Sequence, residues 1–498
     1  MIEKIHQYCT KQFSLDTRAL SLMRICLGMV LLADWIIRFS SLTAHYTNEG
    51  LMPTELLFTH NWKQGYYSLF LISDSIYWQY SLFITAIIFS FFFLIGYFTR
   101  FATFILCILI ISIHVRNPYI LQGGDELLRI SLFWCLFLPL SNHYSVDKLQ
   151  SNKIDEKKIF SAASIGLMLL IFSVYFFSAL LKTSDEWRTE GSALYYALSL
   201  DQMALPLGKV LYNYPTLMKY ITLSVFYLEI IAPLLFFIPF KKKYFRSVGI
   251  ISLILLNIGI GSTLLVGLFF LIGISTLIGL FPSELIDWKA KRFPQVLKKI
   301  NLLTYLNKIL PTFSGTRKLG DKLTNSFSNF YTQTLLTFSL IFLICLSLIW
   351  NIGNIKGSGL TVSSPFKTLT YSLGLHQDWG MFAPRVFKDD GWYVLDAHTI
   401  QNKHIDIYKE GKETSLEKPE DVMKYIKGDR WRKYEENFLM VEYEFIRPYF
   451  CKYTLRQWNE THSEKIDSLS IIYMKERTLS DYQKVIPTKE VLCNCTTN

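Results

Sequence analysis

Long apolar segments recur along most of this 498-residue chain and alternate with short polar segments. A helix that crosses the hydrocarbon core of a membrane needs about 20 apolar residues. The pattern therefore predicts an all-α polytopic membrane bundle of about nine transmembrane helices in the lipid bilayer. The predicted spans lie at about 19–39, 77–97, 101–115, 127–141, 160–181, 219–240, 246–262, 264–281 and 333–352.

The pattern changes after residue 352, where charged residues become frequent and no spanning segment follows. GWYVLDAHTI and HIDIYKEG alternate as the strands of a hairpin do, and SLSIIYMKER predicts another strand. KPEDVMKYIKG and PYFCKYTLRQWNE predict helices. We therefore predict a C-terminal α+β domain. The predicted divisions are a transmembrane module at 1–281, a basic cytoplasmic linker at 282–332, a last span at 333–352 and the domain at 353–498.

Composition supports the membrane prediction, because 51% of residues are hydrophobic and the mean hydropathy is +0.26. The net charge of +11 arises mostly in the loops, with 21 Lys and Arg residues on one predicted side and 5 on the other. Cytoplasmic loops carry such an excess in membrane proteins, so the charge does not indicate a nucleic-acid partner. We expect a multi-pass protein of the cell membrane, with a cytoplasmic N-terminus and an extracytoplasmic 353–498 domain.

Three cysteines, Cys451, Cys493 and Cys495, fall in the predicted outside domain, where a disulfide can form. An odd number leaves at least one unpaired, and the sequence leaves the pairing open. We identify no set of ligands for a metal, and none is predicted.

Polar residues at the outer ends of the spans are candidates for function, because charges at membrane depth are costly. Asp34 and Arg38 share a helix face and form either a self-neutralising pair or part of a site, and His45 follows at the interface. The densest group is HVRNPYILQGGDELLR, which either walls a pocket or plugs the bundle and pins its helices. Its candidate residues are His114, Arg116, Asn117, Gln122, Asp125, Glu126 and Arg129.

The segment FFSALLKTSDEW ends the fifth predicted span at Lys182. In one interpretation the lysine follows the apolar surface outward and places its ammonium among the headgroups. In the other, aromatic neighbours such as Trp187 desolvate the amine and make it available as a base. Glu229, inside the sixth predicted span, has to be protonated or paired with a polar group across the bundle.

These segments also carry a family resemblance. The ordered motifs RICLGMVLLADW, AHYTNEGLMP, GYFTRFAT, HVRNPYILQGGDELLR, LPLSNHYSVD and ALLKTSDEW resemble the HTTM module, over roughly residues 10–285. Vitamin K-dependent gamma-glutamyl carboxylases and many bacterial membrane proteins share that module. Downstream, LGLHQDWGMFAP, DGWYVLDAHT and RWRKY resemble the outside portion of the bacterial branch.

The resemblance implies a carboxylase coupled to quinol oxidation. Lys182 and Trp187 match a lysine that deprotonates reduced vitamin K and a tryptophan five residues later, so the implied cofactor is reduced vitamin K or a menaquinol-type quinone. The oxygenated quinone then removes a glutamate γ-proton and carbon dioxide adds. The animal enzymes have a catalytic histidine in an NNHSY-like stretch where this chain has NPYILQGGDE, which leaves His114 or His45 to replace it.

Two functions therefore stand side by side. The first is quinone-dependent epoxidation and carboxylation of an extracytoplasmic peptide or protein. The second is a non-enzymatic membrane partner in the maturation of, or immunity to, a secreted peptide, because bacterial peptide-toxin maturation proteins also carry the module. A transporter is less well supported, since no inverted repeat is evident.

Overall fold

A computed structural model describes residues 2–151, 156–292, 330–483 and 485–497. Most of the predicted linker at 282–332 lies outside the described residues. The helices are α1 (Ile2–Phe13), α2 (Thr17–Phe39), α3 (Leu42–Tyr46), α4 (Thr54–His60), α5 (Ile76–Ile95), α6 (Thr99–Arg116), α7 (Gly123–Cys135), α8 (Val146–Leu149), α9 (Ala162–Leu181), α10 (Asp185–Arg188), α11 (Ala193–Ser199), α12 (Pro206–Leu211), α13 (Pro215–Leu234), α14 (Lys242–Thr263), α15 (Phe269–Ile278), α16 (Ser283–Arg292), α17 (Phe330–Gly353), α18 (Ser364–Ser372), α19 (Asp429–Leu439) and α20 (Arg447–Thr461).

Within the described ranges, seven helices are long and apolar enough to cross a membrane, so the chain is a multi-pass membrane protein. These spans are Thr17–Phe39, Ile76–Ile95, Thr99–Arg116, Ala162–Leu181, Pro215–Phe237, Lys242–Thr263 and Tyr331–Gly353.

Nine spanning helices are not confirmed, because the predicted spans at 127–141 and 264–281 correspond to the short helices α7 and α15. They have 13 and 10 residues. At 1.5 Å per residue they measure about 20 Å and about 15 Å, against a hydrocarbon core of about 30 Å. Both pack inside the bundle, α7 on α6, α9 and α15, and α15 on α2 and α14. Hydropathy alone cannot separate such core helices from spans, since both bury apolar side chains.

The segment that contains α7 nevertheless lies alongside α2 and extends from one end of the bundle toward the other. At the beginning of α7, Asp125 pairs with Arg38 near the end of α2. Beyond the end of α7, the carbonyl of Leu140 accepts a hydrogen bond of 3.2 Å from Arg24 near the beginning of α2. The short helix α7 and the residues after it therefore extend along most of the length of α2.

Arg24 is fully buried and is satisfied by backbone carbonyls from three segments. Its guanidinium also donates to Leu94 and Tyr144 at 2.6 Å each. Gly96, which ends α5 with φ +69°, makes room for it, because a Cβ there would lie 2.7 Å from an Arg24 nitrogen. A buried guanidinium without such partners would be costly, so Arg24 fixes the relative positions of these ends.

The strands confirm the predicted α+β character of the C-terminal region. They are β1 (Leu15–Asp16), β2 (Lys158–Ile159), β3 (Asp389–Thr399), β4 (His404–Asp406), β5 (Lys412–Glu413), β6 (Ile466–Arg477) and β7 (Thr488–Thr496). β1 and β2 form a small antiparallel pair. The other five form one antiparallel sheet in the order β5-β4-β3-β6-β7.

The C-terminal predictions agree with the structure in most respects. The hairpin is β3 and β4, SLSIIYMKER lies in β6, and PYFCKYTLRQWNE lies in α20. KPEDVMKYIKG contains only a 3-10 turn at Val422–Tyr425. α20 packs on β6 and β7, and a disulfide between Cys451 and Cys495 joins α20 to β7 and leaves Cys493 free.

We predict that replacing both Cys451 and Cys495 by serine destabilises the C-terminal region by about 2–4 kcal/mol, because the bond closes a long loop. The two cysteines lie 44 residues apart. Urea unfolding followed by tryptophan fluorescence measures the loss, and Cys493→Ser serves as the matched control with little change. Mass spectrometry under non-reducing conditions that found Cys493 in the bond would contradict the pairing.

Candidate functional site

Lys182 follows the last turn of α9, and its side chain stays inside the bundle. Only 3% of the residue is exposed. Its Nζ donates a hydrogen bond to Oε2 of Glu229 on α13, which is itself buried. An ammonium that reached outward to the headgroups would be exposed, so Lys182 does not extend along the surface. Glu229 finds the polar partner across the bundle that its position requires.

The turn after α9 fixes Lys182 from a second side. Its Nζ lies 4.5 Å from the ring centroid of Trp187 on α10, a cation–π distance. The Trp187 indole nitrogen donates to the carbonyl of Phe382 at 2.9 Å, and Arg188 donates to the carbonyl of Lys182 at 2.9 Å. The backbone and the amine of Lys182 are therefore both held in place.

Lys182 lines a cavity of about 1210 Å³. Typical small-molecule sites have volumes of roughly 300–1,000 Å³, so this cavity is large enough for a long ligand. Part of its wall is apolar and comes from α13, α14 and α15, through Ile221, Val225, Leu255, Leu256, Ile260 and Phe269. Leu255 lines the cavity and is also 62% exposed, so this part of the cavity wall includes a side chain at the surface of the bundle.

Five of the nine predicted pocket residues line the same cavity as Lys182. They are His114, Gln122, Glu126, Arg129 and Trp187. The structure thus brings the lysine together with one part of the 114–129 segment. The remaining four predicted pocket residues, His45, Arg116, Asn117 and Asp125, do not line it.

Arg116 and Asn117 brace the loop between the first two spans. Arg116 donates to the carbonyl of Met52 at 2.7 Å, and the Asn117 amide donates to the carbonyl of His45 at 3.0 Å. Both side chains are buried and occupied by backbone carbonyls. Neither residue lines the cavity, and the contacts of both side chains fix the loop.

His45 is also not a pocket residue. It is buried against the Trp431 ring at a centroid distance of 4.7 Å, and neither ring nitrogen has a hydrogen-bond partner in the part of the chain that the structure describes. Burial lowers the pKa of His45 to about 3, with the positive charges of Arg430 and Arg38 as further causes. The imidazole is neutral and packs as an aromatic ring.

Asp125 belongs to a buried network of two carboxylates and two guanidinium groups. Arg38 contacts Asp34 at 2.7 Å and Asp125 at 2.5 Å. Arg430, at the beginning of α19, contacts the same two residues at 2.8 Å and 2.5 Å. Asp34 and Arg38 are therefore half of a four-charge group, and its fourth member comes from the C-terminal region. This group holds α19 against the bundle.

We predict that Arg430→Met destabilises the protein by about 3–5 kcal/mol, because it leaves buried carboxylate charge without a partner. Thermal unfolding in detergent and limited proteolysis of the C-terminal region measure the effect. Arg477→Met, at a side chain 62% exposed, is the matched control. Equal stability of the two variants would show that the network does not hold α19 in place.

A comparison with known protein families identifies the family of this chain. The family model of the HTTM domain matches residues 13–281, more than half of the chain. The chain belongs to the HTTM family. It is thus a membrane protein of the vitamin K-dependent carboxylase-like group, which confirms the resemblance in the sequence motifs. No curated protein matches the chain, and no solved structure matches it.

The HTTM region does not enclose the cavity alone. Residues 376–390, here called the wall segment, lie beyond the match and supply part of the lining. Arg129 donates to the carbonyl of His376 at 2.7 Å, and the backbone N–H of Asp378 donates to Glu126 at 2.7 Å. Arg129 and Glu126 therefore have two roles, since they line the cavity and anchor its wall.

The wall segment is also tied to the turn that holds Lys182. The N–H of Ser184 donates to the carbonyl of Pro384 at 3.2 Å, and Lys388 forms an ion pair of 2.7 Å with Glu186. Its hydrogen bond to Glu186 raises the pKa of Lys388. Through these contacts the wall segment and the end of α9 form one connected unit of the HTTM protein.

Two histidines line the cavity. His114 lies between Arg38 and Arg129, each with a nitrogen 3.5 Å from a ring nitrogen. The buried Nδ1 of His376 has no hydrogen-bond partner within the described ranges. Burial, followed by the charge of Arg129, keeps the pKa of His376 well below the usual range. Of the two histidines that the sequence left open, His114 lines the cavity and His45 does not.

Three residues that line the cavity were not predicted as site residues from the sequence: Ser178, Glu229 and His376. The signal for Ser178 was its i, i+4 spacing from Lys182, which places both on one face of α9. The signal for Glu229 was the cost of a carboxylate inside a span. No local pattern indicated His376, because a tertiary contact with Arg129 places it.

A group of three carboxylates lies where the sheet meets the loop after Lys182. Oxygens of Asp201, Asp390 and Glu476 lie within 4.8 Å of one another. The ammonium of Lys418 pairs with Asp201 at 2.6 Å and also with Glu476. Asp390 accepts the backbone N–H of Asp201 at 2.6 Å and is almost completely buried. The group joins the sheet to the HTTM region.

We predict that this junction weakens as the pH rises. Burial raises the pKa of Asp390 to about 7, while an unfolded aspartate titrates near pH ~3.9. Between these values the folded state keeps a proton that the unfolded state loses, so stability falls as pH increases toward 7. Asp390→Asn removes this loss and should gain about 1–3 kcal/mol over the wild type at pH ~8 and little at pH ~4.

Thermal unfolding across this pH range tests the prediction. Asp467→Asn, at a half-exposed side chain of the same region, is the control and should follow the wild type. A wild-type and an Asp390→Asn curve that run parallel at all pH values would contradict it.

Proposed function

We propose that this HTTM protein is a membrane enzyme that uses a reduced vitamin K or menaquinol-type quinone, oxygen and carbon dioxide to modify an extracytoplasmic peptide or protein. The observation that carries the proposal is the position of Lys182. Its amine lies in a lipid-accessible cavity beside residues of the 114–129 segment, instead of among the headgroups. The likeness to the vitamin K-dependent carboxylases supplies the reaction class.

The cavity residues fit a tailed quinone. The apolar side chains of α13 and α14 suit an isoprenoid tail that enters from the bilayer, and Trp187 offers a flat aromatic surface. The Oγ of Ser178 is buried in the lining, one helical turn before Lys182, and has no hydrogen-bond partner among the described residues. A polar oxygen of the ring would satisfy it. When bound and reduced, such a group supplies the oxygen-dependent redox chemistry that side chains lack.

The residues of the candidate site then have defined roles. Lys182 accepts a hydroxyl proton at Nζ, which requires the neutral amine. Trp187 and Glu229 fix the direction of that nitrogen. His114 lines the same cavity, with its two ring nitrogens directed at Arg38 and Arg129. The wall segment limits the entry of water and strengthens every electrostatic contact inside.

The same proposal places the cavity mouth and the 353–498 region outside the cytoplasm. The disulfide between Cys451 and Cys495 belongs to an oxidising compartment. The uneven distribution of loop charges points the same way. A secreted or surface peptide would then reach the cavity from the side of the sheet.

A non-enzymatic role is the second candidate, and the pairing of Lys182 with Glu229 favours it. A lysine that a carboxylate holds as an ammonium forms a structural ion pair and does not act as a base. In that case the charged mouth of the cavity would bind a secreted peptide in its maturation or in immunity to it. Residues of both signs line the cavity, including Arg432, Lys433, Glu436 and Lys475.

We predict that Lys182→Ala lowers quinone-dependent oxygen uptake and epoxide formation by at least about 10²-fold, the usual contribution of a general base. The assay uses purified protein with reduced menaquinone, and Lys209→Ala is the matched control because Lys209 is half-exposed and pairs only at the surface with Asp421. A wild-type protein without quinone-dependent oxygen uptake refutes the enzyme. Peptide binding that survives Lys182→Ala then supports the second candidate.

A further inference from the structure

We infer that Glu229 is the proton acceptor of Lys182, so that loss of water from the cavity converts their ion pair into a neutral amine and a carboxylic acid. The inference deepens the proposed function and rests on it for its catalytic meaning, because a base at position 182 has to be neutral. It names a positioning residue, Glu229, whose task is to take and hold one proton.

The geometry permits direct transfer. The Lys182 Nζ and the Glu229 Oε2 share a hydrogen bond, and their side chains are 4% and 7% exposed. No third residue has to carry the proton between them. The transfer is balanced, since –NH₃⁺ and –COO⁻ become –NH₂ and –COOH without a proton entering or leaving the cavity.

Among the described residues, no other charged side chain forms an ion pair with Lys182 or Glu229. Across the bundle, the Tyr175 hydroxyl near Glu229 accepts a hydrogen bond of 2.7 Å from Asn257. On the other side, the exposed Arg188 donates to the Lys182 carbonyl, and Glu186 is neutralised by Lys388. The balance between charged and neutral forms is therefore governed mainly by solvation.

Solvation favours opposite forms in the wet and the dry cavity. Water in a cavity of about 1210 Å³ stabilises the two ions. Removing that water imposes a desolvation cost of several kcal/mol on each ion, whereas the neutral pair keeps its hydrogen bond and loses little. An apolar occupant that displaces water therefore shifts the proton from Nζ to the carboxylate.

This coupling between the water content of the cavity and the position of the proton sets the order of the reaction steps. Lys182 is an ammonium while the cavity is wet and becomes a base once an apolar ligand fills it. The amine then accepts the hydroxyl proton, and Glu229 retains the first proton until the cavity opens again. The pair that favours a structural role in the resting protein is thus compatible with catalysis.

Infrared difference spectroscopy tests the transfer, because a protonated carboxyl group has a C=O stretch that a carboxylate lacks. Ser178→Leu fills the lining next to the pair and removes no hydrogen bond of Ser178 Oγ within the described structure. We expect the ligand-free wild type to show an ionised Glu229. Ser178→Leu should show the protonated-carboxyl band, and adding Glu229→Gln should abolish it, whereas adding Glu186→Gln should not.

Saturating the wild type with oxidised menaquinone is a second way to dry the cavity and should produce the same band. The inference is overturned if Glu229 is already protonated in the wild type, or if it stays ionised in Ser178→Leu and with the bound quinone. Because the Ser178→Leu arm contains no cofactor, it separates this inference from the proposed function. A band in that variant, together with no quinone-dependent oxygen uptake by the wild type, would refute only the enzyme.

Discussion

Charge inside a membrane bundle has to be compensated within the protein, and this constraint governs how the chain is assembled. Two buried groups meet it. One group, Asp34, Arg38, Asp125 and Arg430, joins the C-terminal region to the first spans. The other, Lys182 with Glu229, crosses from α9 to α13 inside the cavity. The first group is almost entirely enclosed by protein, with only the Arg430 side chain 13% exposed, and it holds the structure together. The second faces a space that a ligand can enter, so its charge state can change.

The sequence predicted what depends on local pattern. Seven long spans, the C-terminal hairpin and the α20 segment each carry a clear hydrophobic period, and all are present within the described ranges. The sequence-based predictions are wrong where one local pattern is compatible with two different structures. The short helix α7 is apolar because it packs against other helices, which in sequence looks the same as facing lipid.

The candidate site was predicted in part for the same reason. Lys182, Trp187 and the 114–129 segment stood out because polar groups at membrane depth are unusual. The sequence did not show which of these residues lie together in the structure. Arg116 and Asn117 donate to backbone carbonyls, whereas Glu126 and Arg129 line the cavity. Arg430 and His376 come from a distant part of the chain, and only the tertiary fold brings them to these partners.

In the proposed function an apolar-tailed quinone binds with its ring beside Lys182. A cryo-electron microscopy structure of the protein saturated with menaquinone in a lipid nanodisc tests this directly. We expect a quinone ring between Trp187 and Ser178, with an oxygen within hydrogen-bonding distance of the Lys182 Nζ and the tail leaving between α13 and α14. A quinone bound only on the outer lipid-facing surface, with the cavity beside Lys182 empty, would contradict it.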